Sequence, residues 1–501
     1  MRLPYDCGEV QEPLPVKPGH PRREACEYKR NATRNMFVIV CPNCGHINLS
    51  EAPRCTHCWS PLKNVHAVTK EEGEAHTRRQ LHARKRQLRI RWGIVGVVLL
   101  ALGAWIAYEN VNTTHFRFPA TTTISAGAVP GNWAMFQRDP THTGAVLDDI
   151  ALPQGKLKWR FQTDVEIFSS PSVVEGRVYM STGDRRILAL DEQSGELIWE
   201  YEVSGPVNST PAVAGDLVFT GLRDRSLVVL NKNTGELEWQ YFTGNFVYSS
   251  PAVHNGVLYL TSGDNRLYAF DAQSGDIRWI YDAGVSISSA PAVNDVVVAV
   301  VSHLGTLHIV DIHTGKLRFD FIMRGGSNTS PSLKDNYVYI ANDAGVIAID
   351  WHKRFLPFER KARYLRVQLF IWGFVNTLSP QKGLVWVKYK PHEVFTTTPV
   401  IAGDMIYVGS QSGNLYAFDR MTGEERWRFS SDAGGRIRAS AAVTGQTVYV
   451  GDDQGRLYAI NALSGERQWT FQTGGSIAAS PAIANGVLYL TSGDGNLYAI
   501  E

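Results

Sequence analysis

Aromatic residues recur at forty-residue intervals, at Trp159, Trp199, Trp239, Trp279 and Phe319, and resume after an interruption at Trp386, Trp427 and Trp469. A period of about 40 made of short β runs and turns restricts the chain to radial repetition of one small sheet, the plan of a β-propeller. The copy "SSPAVHNGVLYLTSGDNRLYAFDAQSGDIRW" (249–279) separates into four strands, "SSPAV", "VLYLTS", "RLYAFD" and "IRW". Between them lie Asn255-Gly256 and Gly263-Asp264-Asn265, residues that accept the positive φ of tight hairpins. Val257 and Tyr259 point to one face and Leu258 and Leu260 to the other. Both faces are therefore apolar, as in a sheet held between two neighbours. Asp271, Ser274 and Gly275 mark the next turn, where a carboxylate accepts backbone N–H bonds.

Eight inner strands of the "SSP" type start near Ser169, Ser209, Ser249, Ser289, Thr329, Thr397, Ala439 and Ala479. The first aromatic strand, "KLKWRF" (156–161), precedes the first inner strand, and "NLYAIE" lacks an aromatic strand after it. The N-terminal strand is therefore expected to complete the eighth blade, closing the ring and removing its open edges. The prolines at 171, 211, 251, 291, 331, 399 and 481 suit an innermost strand with a free edge. The neighbouring Ser and Thr residues read as small side chains where the wheel narrows, with a ring of ligand-binding hydroxyls as the alternative.

Lys plus Arg total 50 against 48 Asp plus Glu, a balance that excludes a generic nucleic-acid binder. The charge is uneven, however. Arg78, Arg79, Arg84, Lys85, Arg86, Arg89 and Arg91 lead into "WGIVGVVLLALGAWIAY" (92–108), which has no charge. Seventeen helical residues cover roughly 25 Å, near the lower limit for a hydrocarbon core, and a single transmembrane helix is expected. Trp92, Trp105 and Tyr108 sit where rings favour the headgroup layer. The positive-inside rule then puts residues 1–91 in the cytoplasm and the repeats outside it, periplasmic or extracellular. All six cysteines precede the apolar run, so the repeats rely on their core and not on disulfides.

"CPNCGHINLSEAPRCTHCWSPL" pairs Cys41 with Cys44 and Cys55 with Cys58. A two-residue gap lets both thiolates of a pair face one point, and four thiolates in a tetrahedron suit a closed structural zinc site. His46 is the competing ligand, and Cys7 and Cys26 fall outside the pairing. The run resembles the short zinc-ribbon family. The domains expected are an unfolded Pro-containing segment (1–35), the ribbon (36–65), a basic juxtamembrane segment (66–91), the membrane helix (92–108), a linker (109–130) and the propeller (131–501).

The frame "G-x-VY…D-G-x-LYA-D-x-x-[ST]-G-x-x-x-W", met in Val257–Trp279 and again in Met405–Trp427, resembles the pyrroloquinoline-quinone-type repeat of eight-bladed propellers. "GNWAMFQRDPTHTG" (131–144) is similar to the segment that often precedes such repeats. The resemblance implies an all-β fold and one of two functions. Quinoprotein dehydrogenases hold the quinone (PQQ) with a vicinal disulfide, a stacked aromatic, a calcium and a catalytic Asp. A non-catalytic branch, which includes the outer-membrane barrel-assembly lipoprotein, binds other proteins. The vicinal cysteines are missing, and Asp264, Asp453 and Asp494 fall in hairpin turns that explain them. A scaffold is expected and PQQ is not, with a dehydrogenase or a small-ligand sensor as the alternative.

Positions shared by all copies serve the wheel, and those that differ are free to recognise a partner. Just before each inner strand stand Phe168, Asn208, Tyr248, Ser288, Asn328, Thr396, Arg438 and Ala478, and the second hairpin turns add Arg185, Arg186, Arg223 and Arg225. The expected partner-binding set is Phe168, Arg185, Arg186, Asn208, Arg223, Arg225, Tyr248, Asn328 and Arg438, a basic sector with aromatics beside it. The repeat is broken once, by an insertion at 351–383. There Tyr364, Val367, Ile371 and Phe374 keep helical spacing while Leu365, Val367, Leu369 and Ile371 keep strand alternation, so helix and strand both fit. Arg360, Lys361, Arg363 and Arg366 would suit a surface helix near lipid or a partner.

Overall fold

In the computed structural model each repeat becomes a four-stranded antiparallel sheet, strand A innermost and strand D outermost, and eight such blades form the wheel. The residues described are 37–114, 124, 130–147, 151–323, 325–327, 329–354, 359–378 and 381–501. Segment 1–35 with Cys7 and Cys26, and Asn328, lie outside them, as do the side chains of Trp105 and Tyr108. The chain divides into two units, Met1–Val111 and Asn112–Glu501.

A representative blade runs Ala212–Ala214, Leu217–Gly221, Ser226–Asn231 and Leu237–Phe242. Strand B is buried along its whole length, as double-sided apolarity requires, whereas strand D is largely exposed. On strand D Trp239 and Tyr241 turn inward, and the tryptophan position reaches the next blade. Trp159 lies against Gly195, Trp199 against Gly235, Trp279 against Gly315 and Trp427 against Gly465, so closely that a Cβ on those glycines would stand 2.6 to 2.8 Å from the ring. The same indoles donate to the neighbouring blade: Trp159 Nε1 bonds Glu192 O at 3.0 Å and Trp199 Nε1 bonds Lys232 O at 2.9 Å. A side chain could not occupy the glycine position, which also holds a positive φ of 66 to 76° at these four sites.

The alanine of "LYA" has a matching cause. Ala189, Ala269, Ala417 and Ala499 lie opposite Trp199, Trp279, Trp427 and Trp159, and the register slips by one residue just beyond. This bulge twists the outer strand and turns its ring toward the next blade. Where Ile309 replaces the alanine, Phe319 replaces the tryptophan, which keeps the pair's volume similar.

The ring closes as expected: Asn496–Ile500 pairs antiparallel with Leu157–Gln162, completing the eighth blade. Residues 133–146 have a role that the repeat did not announce. They wind round the axis at the end of the wheel that carries the A–B turns and take hydrogen bonds from the inner strands. Val173, Val213, Val293, Leu333, Ile401 and Val443 donate their N–H groups to Trp133, Ala134, Pro140, Thr141, Thr143 and Gly144 in turn. Ala145–Val146 then pairs in parallel with Ala442–Thr444. The inner edges are thus partly covered rather than free.

In the first unit, Phe37–Val40 pairs with Ile47–Leu49 and with Val68–Thr69, so the ribbon's sheet reaches past residue 65. Helix α1, Lys70–Thr114, follows without a break and begins well before Trp92. Its start is fixed by a capping box: Thr69 N donates to Glu72 Oε2 at 3.2 Å and Glu72 N to Thr69 Oγ1 at 3.4 Å. By length and composition α1 is apolar enough to cross a membrane, and its described apolar side chains, such as Val97 and Leu100, are exposed.

The insertion forms helix α2, Glu359–Ile371, in the C–D turn of the fifth blade. Gly383 ends it and meets Phe319 as the turn glycines elsewhere meet tryptophan. The contact yields a prediction. Gly176 and Gly195 share φ near +76°, but only Gly195 faces a ring. Gly176→Ala should cost about 1–2 kcal/mol for the left-handed backbone, and Gly195→Ala a further 1–3 kcal/mol or so from overpacking. Urea midpoints would measure the difference, and equal shifts would mean that the indole contact contributes nothing.

Candidate functional site

Where the inner strands begin, a cavity of about 210 Å³ opens on the axis, at the end of the wheel opposite the A–B turns. Phe168, Asn208, Tyr248, Ser288, Thr396, Arg438 and Ala478 line it, seven of the eight positions that precede the inner strands. Below them come Ser170, Thr210, Ser250, Ala290, Ser330, Thr398, Ser440 and Ser480, one from each blade, and Phe136 reaches in from the axial segment. The cavity is a blind cup, because residues 133–146 fill the axis beneath it.

Most of its lower hydroxyls already have work, whereas Ser288 Oγ above them is buried with no hydrogen-bond partner among the described residues. Thr210 N donates to Ser250 Oγ at 2.9 Å, Ala290 N to Ser330 Oγ at 2.9 Å, Thr398 N to Ser440 Oγ at 2.9 Å, Ser440 N to Ser480 Oγ at 3.1 Å and Ser480 N to Ser170 Oγ at 2.9 Å. Each joins one blade to the next, so the ring of hydroxyls is a belt. Where the motif begins with Ser or Thr, that hydroxyl stitches strand A to strand B instead, as Ser209 Oγ does to Gly221 O at 2.8 Å. Narrowing of the wheel explains the size of these residues, and the belt explains their hydroxyls.

The rim is basic and aromatic on one side. Arg223 lies over the Tyr248 ring at 5.4 Å, and Phe246, which the sequence reading passed over, meets the same ring edge-on at 6.0 Å. Phe168 and Tyr248 are each more than two-fifths exposed. Arg186 differs from its neighbours in being tied to Asp184 at 2.8 Å and to Glu200 at 3.0 Å. Arg185 and Arg225 hold φ of +69° and +81° at a turn position occupied elsewhere by Asn265, Gly305, Gly413, Gly455 and Gly495. Arginine is strained there, so the wheel itself does not select it.

The turn carboxylates are engaged within the fold. Asp264 accepts Gly244 N at 2.8 Å and the Tyr268 hydroxyl at 2.6 Å, and Asp494 repeats this with Gly474 and Tyr498. Burial, reinforced by the Asp264 bond, pushes the Tyr268 phenol up to about 12.

In the first unit the four sequence-predicted thiols converge, with all Sγ atoms within 4.8 Å of one another. Cys44 and Cys55 are 3.4 Å apart, Cys41 and Cys58 3.6 Å. Metal–sulfur bonds of about 2.3 Å would set tetrahedral edges of roughly 3.8 Å, so the cluster fits a four-coordinate ion. The two knuckles match: Gly45 N bonds Cys41 O at 2.8 Å and Trp59 N bonds Cys55 O at 3.0 Å. Burial opposes ionisation of Cys55, but the N–H groups of Cys58 and His57, with Cys44 and Asn48, outweigh it and bring the thiol down to about 6. Cys44 goes the other way, pushed up to about 12 by burial and its thiol neighbours. Cys58 is lowered as well, chiefly by its hydrogen bonds with Ser60.

The family described as outer membrane protein assembly factor BamB matches residues 142–209, 191–429 and 411–501. No curated protein matches the chain. Among solved structures, BamB from Moraxella catarrhalis is similar at 17% identity over 69% of this chain and 97% of that one, with a TM-score of 0.55. The quinohemoprotein alcohol dehydrogenase from Comamonas testosteroni is similar at 16% identity over 75% and 81%, with a TM-score of 0.59. The computationally designed Ika8 protein reaches 0.57 at 13% identity over 70% and 99%. At these identities the shared property is the fold. The cup does not fit a calcium-held quinone: no carboxylate is among its described lining residues, and Ca²⁺ needs roughly six to eight oxygen ligands, carboxylates among them.

His142 beneath the cup supplies a pH test. It is buried, its Nδ1 donates to Pro331 O at 2.8 Å, and its ring meets Phe136 edge-on at 5.3 Å. Burial pushes its pKa down to about 4, with the Pro331 bond and Asp139 offsetting only part. The folded value lies below the unfolded one, near 6.5. The stability it contributes is therefore complete above that value and lost as pH falls toward 4. Melting temperature should drop between pH 7 and pH 5, and His142→Gln, which keeps an N–H donor, should flatten that slope. An unchanged slope would remove His142 as the cause.

Proposed function

Because the chain belongs to the family of outer membrane protein assembly factor BamB, we propose that its propeller is a protein-binding scaffold, held to a membrane by α1 and joined to a structural zinc ribbon. The observation that carries the scaffold reading is the stack of Arg223 on Tyr248 with Phe246 beside it, exposed at the mouth of the cup. Arginine and aromatic side chains are the residues that dominate binding energy in protein interfaces. They occupy positions at which the blades differ, and Arg185 and Arg225 hold strained turn positions that the wheel alone would fill with glycine or asparagine. The partner surface would be acidic with apolar side chains, seated on Phe168, Asn208, Tyr248, Arg223, Arg225 and Arg438.

The membrane reading rests on the uncharged run 92–108 with the basic residues before it, which orients the ribbon toward the cytoplasm and the wheel away from it. The zinc reading rests on the all-thiol donor set, whose softness and tetrahedral disposition favour Zn²⁺ and leave no position for water. Zinc there would hold the ribbon together and would do no chemistry.

Two measurements test these readings. A photoreactive phenylalanine analogue placed at Tyr248 should form discrete adducts in native membranes, and Arg223→Glu should abolish them. The same analogue at Glu236, in a C–D turn at the other end of the wheel, should form none; equal adducts at both sites would overturn the reading. Native mass spectrometry of the purified chain should find one zinc, lost on Cys44→Ser. A ribbon that stays folded and metal-free would refute the zinc assignment.

A further inference from the structure

We infer that the insertion of the fifth blade is a membrane-surface element, in which α2 and the turn after it enter the headgroup layer of an anionic bilayer. The inference deepens the membrane reading above and rests on it. The exposed apolar side chains of this segment are concentrated at the C-terminal turn of α2. Phe370, Ile371, Trp372 and Phe374 are 41%, 66%, 63% and 75% exposed, and Tyr364 and Leu365 add to them one to two turns earlier. The turn that gathers them is ordered. Gly373, with φ of +78°, lets Phe374 N bond Leu369 O at 2.8 Å and Gly373 N bond Phe370 O at 3.0 Å, a Schellman cap that folds Phe374 back toward the helix. The helix is tied to the wheel by Arg363 on buried Asp320, at 2.8 Å, and Lys382 on Glu359, at 2.8 Å, closes the insertion on itself.

Two observations favour lipid over a second copy or another protein. Residues 351–383 contain seven Lys and Arg against one acid, Glu359, and cations flanking an apolar surface are drawn to anionic headgroups. Trp372 and Tyr364 belong to the residue types enriched at membrane interfaces. The insertion itself packs along the outer strand of the fourth blade, where Arg363 holds Asp320 and Gln381 pairs with both the N–H and the carbonyl of Ile322.

Asn112–Glu501 closes its ring with its own strands and buries its own core, so it can be tested without α1. Flotation with phosphatidylcholine vesicles, with and without phosphatidylglycerol, should show this fragment on the anionic vesicles, less so in high salt. Phe370→Ser, Trp372→Ser and Phe374→Ser together should weaken partitioning by about tenfold or more, with unchanged near-ultraviolet circular dichroism showing that the wheel is intact. A fragment that stays free of both vesicle types, one that binds equally with the three substitutions, or one that instead dimerises through the patch would overturn the inference. Resistance of the full chain to alkaline carbonate extraction reports on α1 separately, so loss of the anchor reading and loss of the α2 reading give different results.

Discussion

The wheel depends on a contact in which an outer-strand indole of one blade lies on a side-chain-free turn of the next. No blade owns a complete core, because an outer ring such as Trp199 rests on its own blade's Tyr179 on one side and on the next blade's glycine on the other, and its indole N–H bonds that next blade's backbone. Stability is therefore shared between neighbours, as in any repeat architecture, and the last indole needs a partner from the beginning of the propeller. Trp469 finds it in Gly155 and bonds Pro153 O at 3.1 Å. The same contact explains how an insertion of this length is tolerated. Gly383 restores the glycine against Phe319 before the outer strand resumes, so the added residues leave the contact between blades unchanged.

Much of this was legible from the residues, since the period, the turn chemistry and the order of aromatic and inner strands have local causes. Seven of the eight rim positions could be placed in the cup by counting from "SSP" alone. What the sequence did not disclose is what non-periodic segments do. Residues 133–146 carry no alternation, and their bonds run to strands as far away as Val443, so neither Phe136 at the cup nor buried His142 could be placed from local pattern. The belt of hydroxyls was hidden for a different reason: Ser and Thr are small as well as polar, and the sequence cannot say which property a narrow axis uses. In the insertion, Leu365 to Ile371 satisfied both periods, and Trp372-Gly373-Phe374, a glycine where a helix would end, was the signal that separated them. The start of α1 was equally readable in "TKEE", where Thr69 and Glu72 form the capping box.

The axial segment also limits what kind of function the wheel can have. An open channel would let a ligand approach the inner strands from either end, and a cofactor could sit at mid-depth between the blades. Here the axis is filled from the A–B side, the lower hydroxyls are spent on joining blades, and the turn carboxylates are spent on joining loops to strand C. Few uncommitted polar groups remain inside the cup. The uncommitted groups lie instead on its rim, where Arg223, Tyr248 and Phe168 face outward.

The two ends of the wheel therefore differ in a way that no single repeat encodes. One end bears Ile124 and the closing segment; the other bears a blind cup with a basic, aromatic rim. This polarity comes from the closing segment at one end and from the blade-to-blade variation of the rim at the other, and both leave the contacts between blades intact. If the tethered end lies against lipid, the rim is the surface that points away from it. A scaffold built this way presents its variable residues to partners while its shared residues hold the ring, and the separation follows from the indole–glycine contact, which fixes everything between the two ends.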